Sequence, residues 1–170
     1  MSKPPADLII RPPVIEDACR LHVIRTLPGV MRGTMQIPSM TVEQVRRQME
    51  TSLMDPAFHA FVAELHGEIV GMAGLHVGSR RRSRVGDLGI SVHDLYTGQG
   101  IGRALMQRLL DVADNYLGLK RLELEVITDN EPAIHLYESL GFVREGVKRS
   151  SMFRGGVFVD TIILGRVRDD

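Results

Sequence analysis

The chain has 170 residues, enough for one domain whose core can hold a small-ligand cleft. Apolar residues make up 44% and charged residues 25%, so no block reads as disordered, and the 21 basic and 21 acidic side chains cancel, which excludes a sequence-independent grip on nucleic acid or an anionic membrane. Cys19 is the single cysteine, which leaves no internal disulfide and no thiolate zinc site.

The opening Met1-Ser-Lys-Pro-Pro5 has no apolar leader, and no segment reaches the apolar length of a membrane span. The expectation is a cytoplasmic chain forming one domain over 1–170. Residues 7–11 make a short strand stopped by Pro12-Pro13. A helix over 14–25, with Cys19 as a small core residue, is broken at Leu27-Pro28-Gly29. Residues 27–38 are the most irregular part of the chain. Thr41 and Gln44 form a capping-box start for a helix carrying Val42, Val45, Met49 and Leu53 on one face. Residues 58–65 and 68–77 make a hairpin around His66-Gly67, and 84–94 is a third strand. Ile101, Leu105, Leu109, Val112 and Tyr116 share one face of the next helix. A strand over 119–127 follows, then a short helix over 131–140 closed by Gly141, and final strands over 142–148 and 157–167. The nine methionines read as packing, and Arg80 to Arg84 as a solvated hairpin turn. The order β-α-α-β-β-β-α-β-α-β-β predicts an α/β (α+β mixed) fold with a mixed, mostly antiparallel sheet of six or seven strands. Helices cover both faces, and 84–94 runs parallel to 119–127.

The strongest local signal is Thr97-Gly98-Gln99-Gly100-Ile101-Gly102-Arg103, between a strand and an amphipathic helix. Alternate glycines let backbone N–H groups approach a ligand, and the helix beginning there adds about half a positive charge at its N-terminus. Together they suit a phosphate or pyrophosphate. A plain strand-to-helix turn would need only one glycine. A Walker loop fails because Arg103 and Ala104 follow Gly102 where Lys and Ser/Thr belong. The dinucleotide fingerprint fails because its third glycine would fall on Arg103 or Leu105. The six histidines show no metal-ligand spacing, so no metal is expected.

The glycine run resembles the coenzyme A loop of the GNAT superfamily of N-acetyltransferases, R/Q-x-x-G-x-G/A, with Thr97 departing from the usual Arg or Gln. A second family block, Asn130-Glu-Pro-Ala-Ile-His-Leu-Tyr137 followed by Glu138-Ser-Leu-Gly-Phe142, stands at the expected separation. More narrowly, Gly33-Thr-Met-Gln-Ile-Pro38, Arg80 to Arg84, Val85 to Val92 and Gly156-Val-Phe-Val-Asp160 are similar to bacterial members that acetylate free amino acids.

The resemblance implies acetyl-CoA as cosubstrate and direct attack of a small-molecule primary amine on its thioester in a ternary complex. It also implies a sheet that splays between 84–94 and 119–127. Backbone amides of Gly98, Gln99, Gly100, Ile101, Gly102 and Arg103 would hold the pyrophosphate, and the edge at Ile90 and Val92 would pair with pantetheine. Asn130 has two compatible roles, helix cap and pantetheine contact. By position alone Tyr137 reads as a packed core tyrosine; the resemblance makes it the candidate general acid. A phenol with a pKa of about 10 is protonated at neutral pH, as a donor must be. Asp87 is the first candidate base and Glu123 the second, each with a structural role open to it. Their task has a size: a neutral lysine-like amine at pH 7 costs roughly 4–5 kcal/mol, a peptide α-amine about 1–1.5. Thr34 and Gln36 are candidate acceptor contacts. The alternatives are acetylation of protein N-termini or lysines, and a non-catalytic acyl-CoA sensor. A homodimer is common among proteins that resemble this one.

Overall fold

The computed structural model of the chain describes residues 3–169; Met1, Ser2 and Asp170 lie outside the described residues, and with them the first two positions of the stretch read as lacking a leader. In chain order the elements are β1 (Ile9–Arg11), α1 (Ala18–Arg25), α2 (Pro28–Gly33), α3 (Val42–Met54), β2 (Phe58–Leu65), β3 (Glu68–Val77) and β4 (Val85–Val92). Then come α4 (Ile101–Asp111), β5 (Arg121–Ile127), α5 (Glu131–Glu138), β6 (Val143–Arg154) and β7 (Val157–Val167). One seven-stranded sheet runs β1-β2-β3-β4-β5-β7-β6. All its pairings are antiparallel except β4 with β5.

Local chemistry explains the sharp corners. His66 and Gly67 both have positive φ (53° and 79°), the two-residue turn that matches strand twist, and Gly155-Gly156 repeats it at 60° and 86° between β6 and β7. The capping box at α3 is formed: Thr41 Oγ1 accepts from the Gln44 N–H (3.2 Å) and Gln44 Oε1 accepts from the Thr41 N–H (2.8 Å).

The core lies on both faces of the sheet. Phe61, Ala63, Leu75, Leu122, Leu124 and Val126 pack with α4 and α5 on one face, while Val62 and Ile69 pack with α1 and α3 on the other. Ile101, Leu105 and Leu109 of α4 are at most 1% exposed, each contributing about 1.5–3 kcal/mol by burial. No helix among the described residues is long and apolar enough to cross a membrane.

The structure departs from the sequence reading at several points. Residues 28–33 are helical, with Pro28 at the first position, where its missing N–H costs nothing. Cys19 is exposed, because Ala18 takes the inward place on α1. The helix after α4 widens into a π turn over Val112–Tyr116, with Leu117 N–H donating to Val112 O. The phase shift buries Ala113 and leaves Tyr116 exposed. The third strand stops at Val92, since the His93 side chain accepts from the Leu95 N–H and starts a tight turn. β6 continues to Arg154 across register shifts, one of them around Ser150, whose N–H donates to Asp160 Oδ1 (2.8 Å). Met35 and Met54 are exposed rather than packed.

At Gly86 a Cβ would stand 2.5 Å from Leu75 Cδ1, 3.0 Å from Leu119 Cδ1 and 3.2 Å from Leu122 Cδ2. Gly86→Val should therefore lower unfolding free energy by about 1–3 kcal/mol through overpacking, measured by urea titration. An unchanged midpoint would show that the core gives way there.

Candidate active site

β4 and β5 pair over only three positions, Val85↔Arg121, Gly86↔Leu122 and Asp87↔Glu123, and then part. Beyond Asp87 the strands are the two lips of a cleft, which opens into a cavity of about 1280 Å³. Backbone groups alternate sides along a strand, so a few bonds fix which residues face the gap. The His93 N–H donates to Val70 O and Val85 O accepts from the Gly78 N–H, both toward β3; Arg84 O accepts from Lys120 and Arg121 N–H, toward β5. Leu88, Ile90 and Val92 therefore turn their N–H and C=O groups into the cleft.

The β4 lip runs into the glycine loop. Gly98 and Gly100 take positive φ of 74° and 79°, a region that favours glycine. Gly100 is the N-cap of α4, and no side chain caps the helix, so its first amides have no partner within the helix. Ala104 N–H makes the first intrahelical bond, to Gly100 O (3.0 Å). A Cβ on Gly102 would lie 3.3 Å from Leu136 and 3.5 Å from Ile90, so the first turn sits flush against β4 and α5. Ile101 is buried in the core and offers only backbone to a ligand. Gln99 Nε2 donates to Leu95 O (3.2 Å) and Thr97 Oγ1 to Asp94 O (3.0 Å), which stiffens the loop. Arg103 donates to Ser139 Oγ (2.5 Å).

The β5 lip carries Asn130 and Tyr137. Asn130 Oδ1 accepts from the Ala133 N–H (3.4 Å) as the cap of α5, and its amide nitrogen would lie 2.9 Å from a Cβ on Gly33. Tyr137 lines the cavity although it is only 6% exposed, and its ring meets Phe142 edge-on. Burial raises its phenol above the ordinary tyrosine value, so it stays protonated.

The opposite sheet face presents Phe58, Met72, His76 and Asp87 to the same cavity, with Glu123 and Glu125 on β5. The Phe58 ring lies over Gly74, and a Cβ on neighbouring Gly89 would meet open space. Asp87 is 58% exposed and stands 3.9 Å from Arg82, which is also 3.4 Å from Glu123. Arg121 at 2.8 Å holds the Glu123 carboxyl below its ordinary range. Thr34 donates to Val30 O (2.7 Å), while Gln36 Oε1 is buried without a partner.

Thus Tyr137, Asp87, Glu123, Ile90, Val92, Gly98, Gly100, Gly102, Arg103, Asn130, Thr34 and Gln36 line one cavity; Gln99, exposed in the loop, and Ile101, buried in the core, do not. The arginine run is exposed throughout, as a solvated turn, and within it Arg82 meets the two carboxylates while Arg84 donates to Leu117 and Gly118 carbonyls. Arg25, Phe58 and Gly89 also line the cavity, and no local sequence pattern marks them. Among the described residues no group of three His, Cys, Asp or Glu side chains could hold a metal.

Comparison with known proteins matches residues 32–142 to the family model described as the acetyltransferase (GNAT) family. The chain is 32% identical to an L-amino acid N-acetyltransferase of Escherichia coli (strain K12), over 96% of this chain and 99% of that one. It is 28% identical to the spermidine N(1)-acetyltransferase of the same strain, over 90% and 82%. The spermidine N-acetyltransferase from Vibrio cholerae, solved in complex with CoA and spermine, superposes with a TM-score of 0.85 at 24% identity over 96% of each chain.

The ion pairs under the site give a pH signature. Arg121 bonds Glu123 and Glu145 and holds both carboxyls below their ordinary range. A folded-state value below the unfolded one of about 4.3 adds stability above that pH and loses it as pH falls through the folded value. Urea midpoints taken from pH 6 down to about 3 should then fall more steeply for the native chain than for Arg121→Met; parallel curves would show that these pairs add nothing.

Proposed function

The chain belongs to the acetyltransferase (GNAT) family and is an acetyl-CoA-dependent N-acetyltransferase, and we propose that it acts as one domain on the primary amine of a free amino acid, by direct attack in a ternary complex. The observation that carries this reading is the junction of three features in one cavity: uncapped amides at the mouth of α4, the open edge of β4, and a protonated phenol across the cleft. The residues present fit the cosubstrate. The α4 amides suit a diphosphate and the edge groups of Ile90 and Val92 suit the amides of a pantetheine arm, with Asn130 on the facing lip. Acetyl-CoA supplies the acyl group on a thiol leaving group.

In this reading Tyr137 Oη gives its proton to the departing sulfur as the carbon–sulfur bond breaks. Asp87 takes the proton that the amine loses, through water, because its carboxylate faces the acceptor side and is held by one long contact. Glu123 is the weaker choice, since its pairing with Arg121 lowers its basicity. Thr34 and Gln36 border the acceptor, and the partnerless Gln36 oxygen supports a donor arriving there. Identity to an L-amino acid acetyltransferase over nearly the whole of both chains supports the free amino acid. A polyamine acceptor is the second reading, favoured by the spermidine acetyltransferase match.

Thiol release from acetyl-CoA across amino acids, polyamines and peptides tests the acceptor class; release with polyamines alone would overturn the first reading. Tyr137→Phe should lower kcat roughly 10²- to 10³-fold while coenzyme A still binds by calorimetry, and an unchanged kcat would remove the assigned acid. Gly89→Val, which fills open space on the acceptor side, should raise KM for the amine and leave coenzyme binding intact; an unchanged KM would move the acceptor elsewhere.

A further inference from the structure

Charges on the acceptor face are nearly all matched. Glu123 is held by Arg121 (2.8 Å) and Glu125 by Lys148 (2.6 Å), and Asp87 faces Arg82 at 3.9 Å. Asp94 Oδ2 takes the Gly29 N–H (2.8 Å). Arg25, the last residue of α1, is different. It lines the same cavity, yet its one polar contact among the described residues is the neutral amide of Gln48 (3.0 Å). No carboxylate pairs with it there. Burial pushes its guanidinium below the ordinary arginine value, and no neighbouring charge opposes that shift, whereas Arg11, Arg121 and Arg154 are all pushed up by carboxylates. Withdrawing a cation from water without a counter-charge is costly, and an arriving anion relieves the cost.

The position says which anion. α1 packs on the sheet face of Val62 and Ile69, and α4 packs on the face of Phe61 and Ala63. A diphosphate at the mouth of α4 is thus held from the other side of the sheet. Between Asp17 and Glu43 the chain has no acidic residue, so the wall formed by α1, α2 and the loop to Pro38 offers a polycation no carboxylate of its own.

We propose that Arg25 is the specificity residue that binds the carboxylate of the acceptor, so that the substrate is an amine carrying an acid group and not a polyamine. The inference rests on the amino-acid reading above and names the group that enforces it. A guanidinium can receive a carboxylate through two parallel bonds, which would fix the amine's direction as well as its affinity.

The test compares thiol release with L-amino acids, the matching amino-acid amides and spermidine, for the native enzyme, Arg25→Met and Arg25→Lys. The native enzyme should favour each acid over its amide. Arg25→Met should cut that acid-to-amide ratio of kcat/KM roughly 10- to 100-fold, mainly through KM for the acid, and Arg25→Lys should recover part of it. The melting temperature of Arg25→Met should hold or rise, because an unmatched half-buried cation is removed; a structural arginine would lower it. If Arg25→Met does not fold, Arg25→Lys carries the test, with a severalfold rise in KM for the acid expected and no rise overturning the proposal. A ratio unchanged in Arg25→Met, or a native preference for amides or spermidine, overturns it too. Release with amino acids that ignores Arg25 defeats this inference alone, while no release with any amino acid defeats the parent reading with it.

Discussion

The architecture depends on the parting of β4 from β5 after three residue pairs. A buried sheet normally satisfies every backbone group, and an interior edge left open is a standing cost unless something pairs with it. Here the open groups belong to Leu88, Ile90 and Val92, and the glycine loop brings the mouth of α4 to the end of that same edge. Gly102 permits this, because its missing side chain lets the first turn rest on Ile90, Val92 and Leu136. In the proposed reading, one break in the sheet therefore provides both the slot for an amide-bearing arm and the anion seat beside it.

The break also joins the two faces. Leu88, Ile90 and Val92 pack toward α4 and α5, whereas Asp87 lies on the face covered by α1 and α3. Tyr137 comes from the first side, and Phe58, Met72 and Arg25 from the second. In the proposed reading, the reacting groups approach from opposite sides of the sheet and meet where the strands separate. That reading puts the cofactor grip and the acceptor grip on different elements, so acceptor choice could vary without disturbing the glycine loop.

Much of this was readable from local chemistry. The His66-Gly67 turn, the Thr41/Gln44 box and the apolar face of α4 each lie within a few residues of the structure they cause. So does the glycine spacing from 98 to 102. The parallel step followed from one strand–helix–strand crossover. What escaped the sequence depends on distant partners. α2 is helical because its Gly29 N–H finds Asp94, 65 residues later. Tyr116 turns outward because a π turn shifts the helical phase, which a regular 3.6-residue period does not anticipate. Cys19 and Ala18 are neighbours with similar packing preferences, and only the approach angle of α1 chooses between them. Arg25 is one arginine among many until the absence of a carboxylate beside it is seen.

The six-residue α2 has a bearing on how the molecule is assembled. A helix that short does not persist in isolation. Its ties arrive from far along the chain: Asp94 at Gly29, Asp129 at Arg32 (2.9 Å), and Arg154, which donates to Arg32 O (3.0 Å) from 122 residues away. Contacts of such long sequence separation carry the entropic cost of closing the chain between them. The wall around α2 is therefore tied to the rest of the molecule by distant partners, and a chain without β6 would lose the Arg154 tie while keeping those of Asp94 and Asp129.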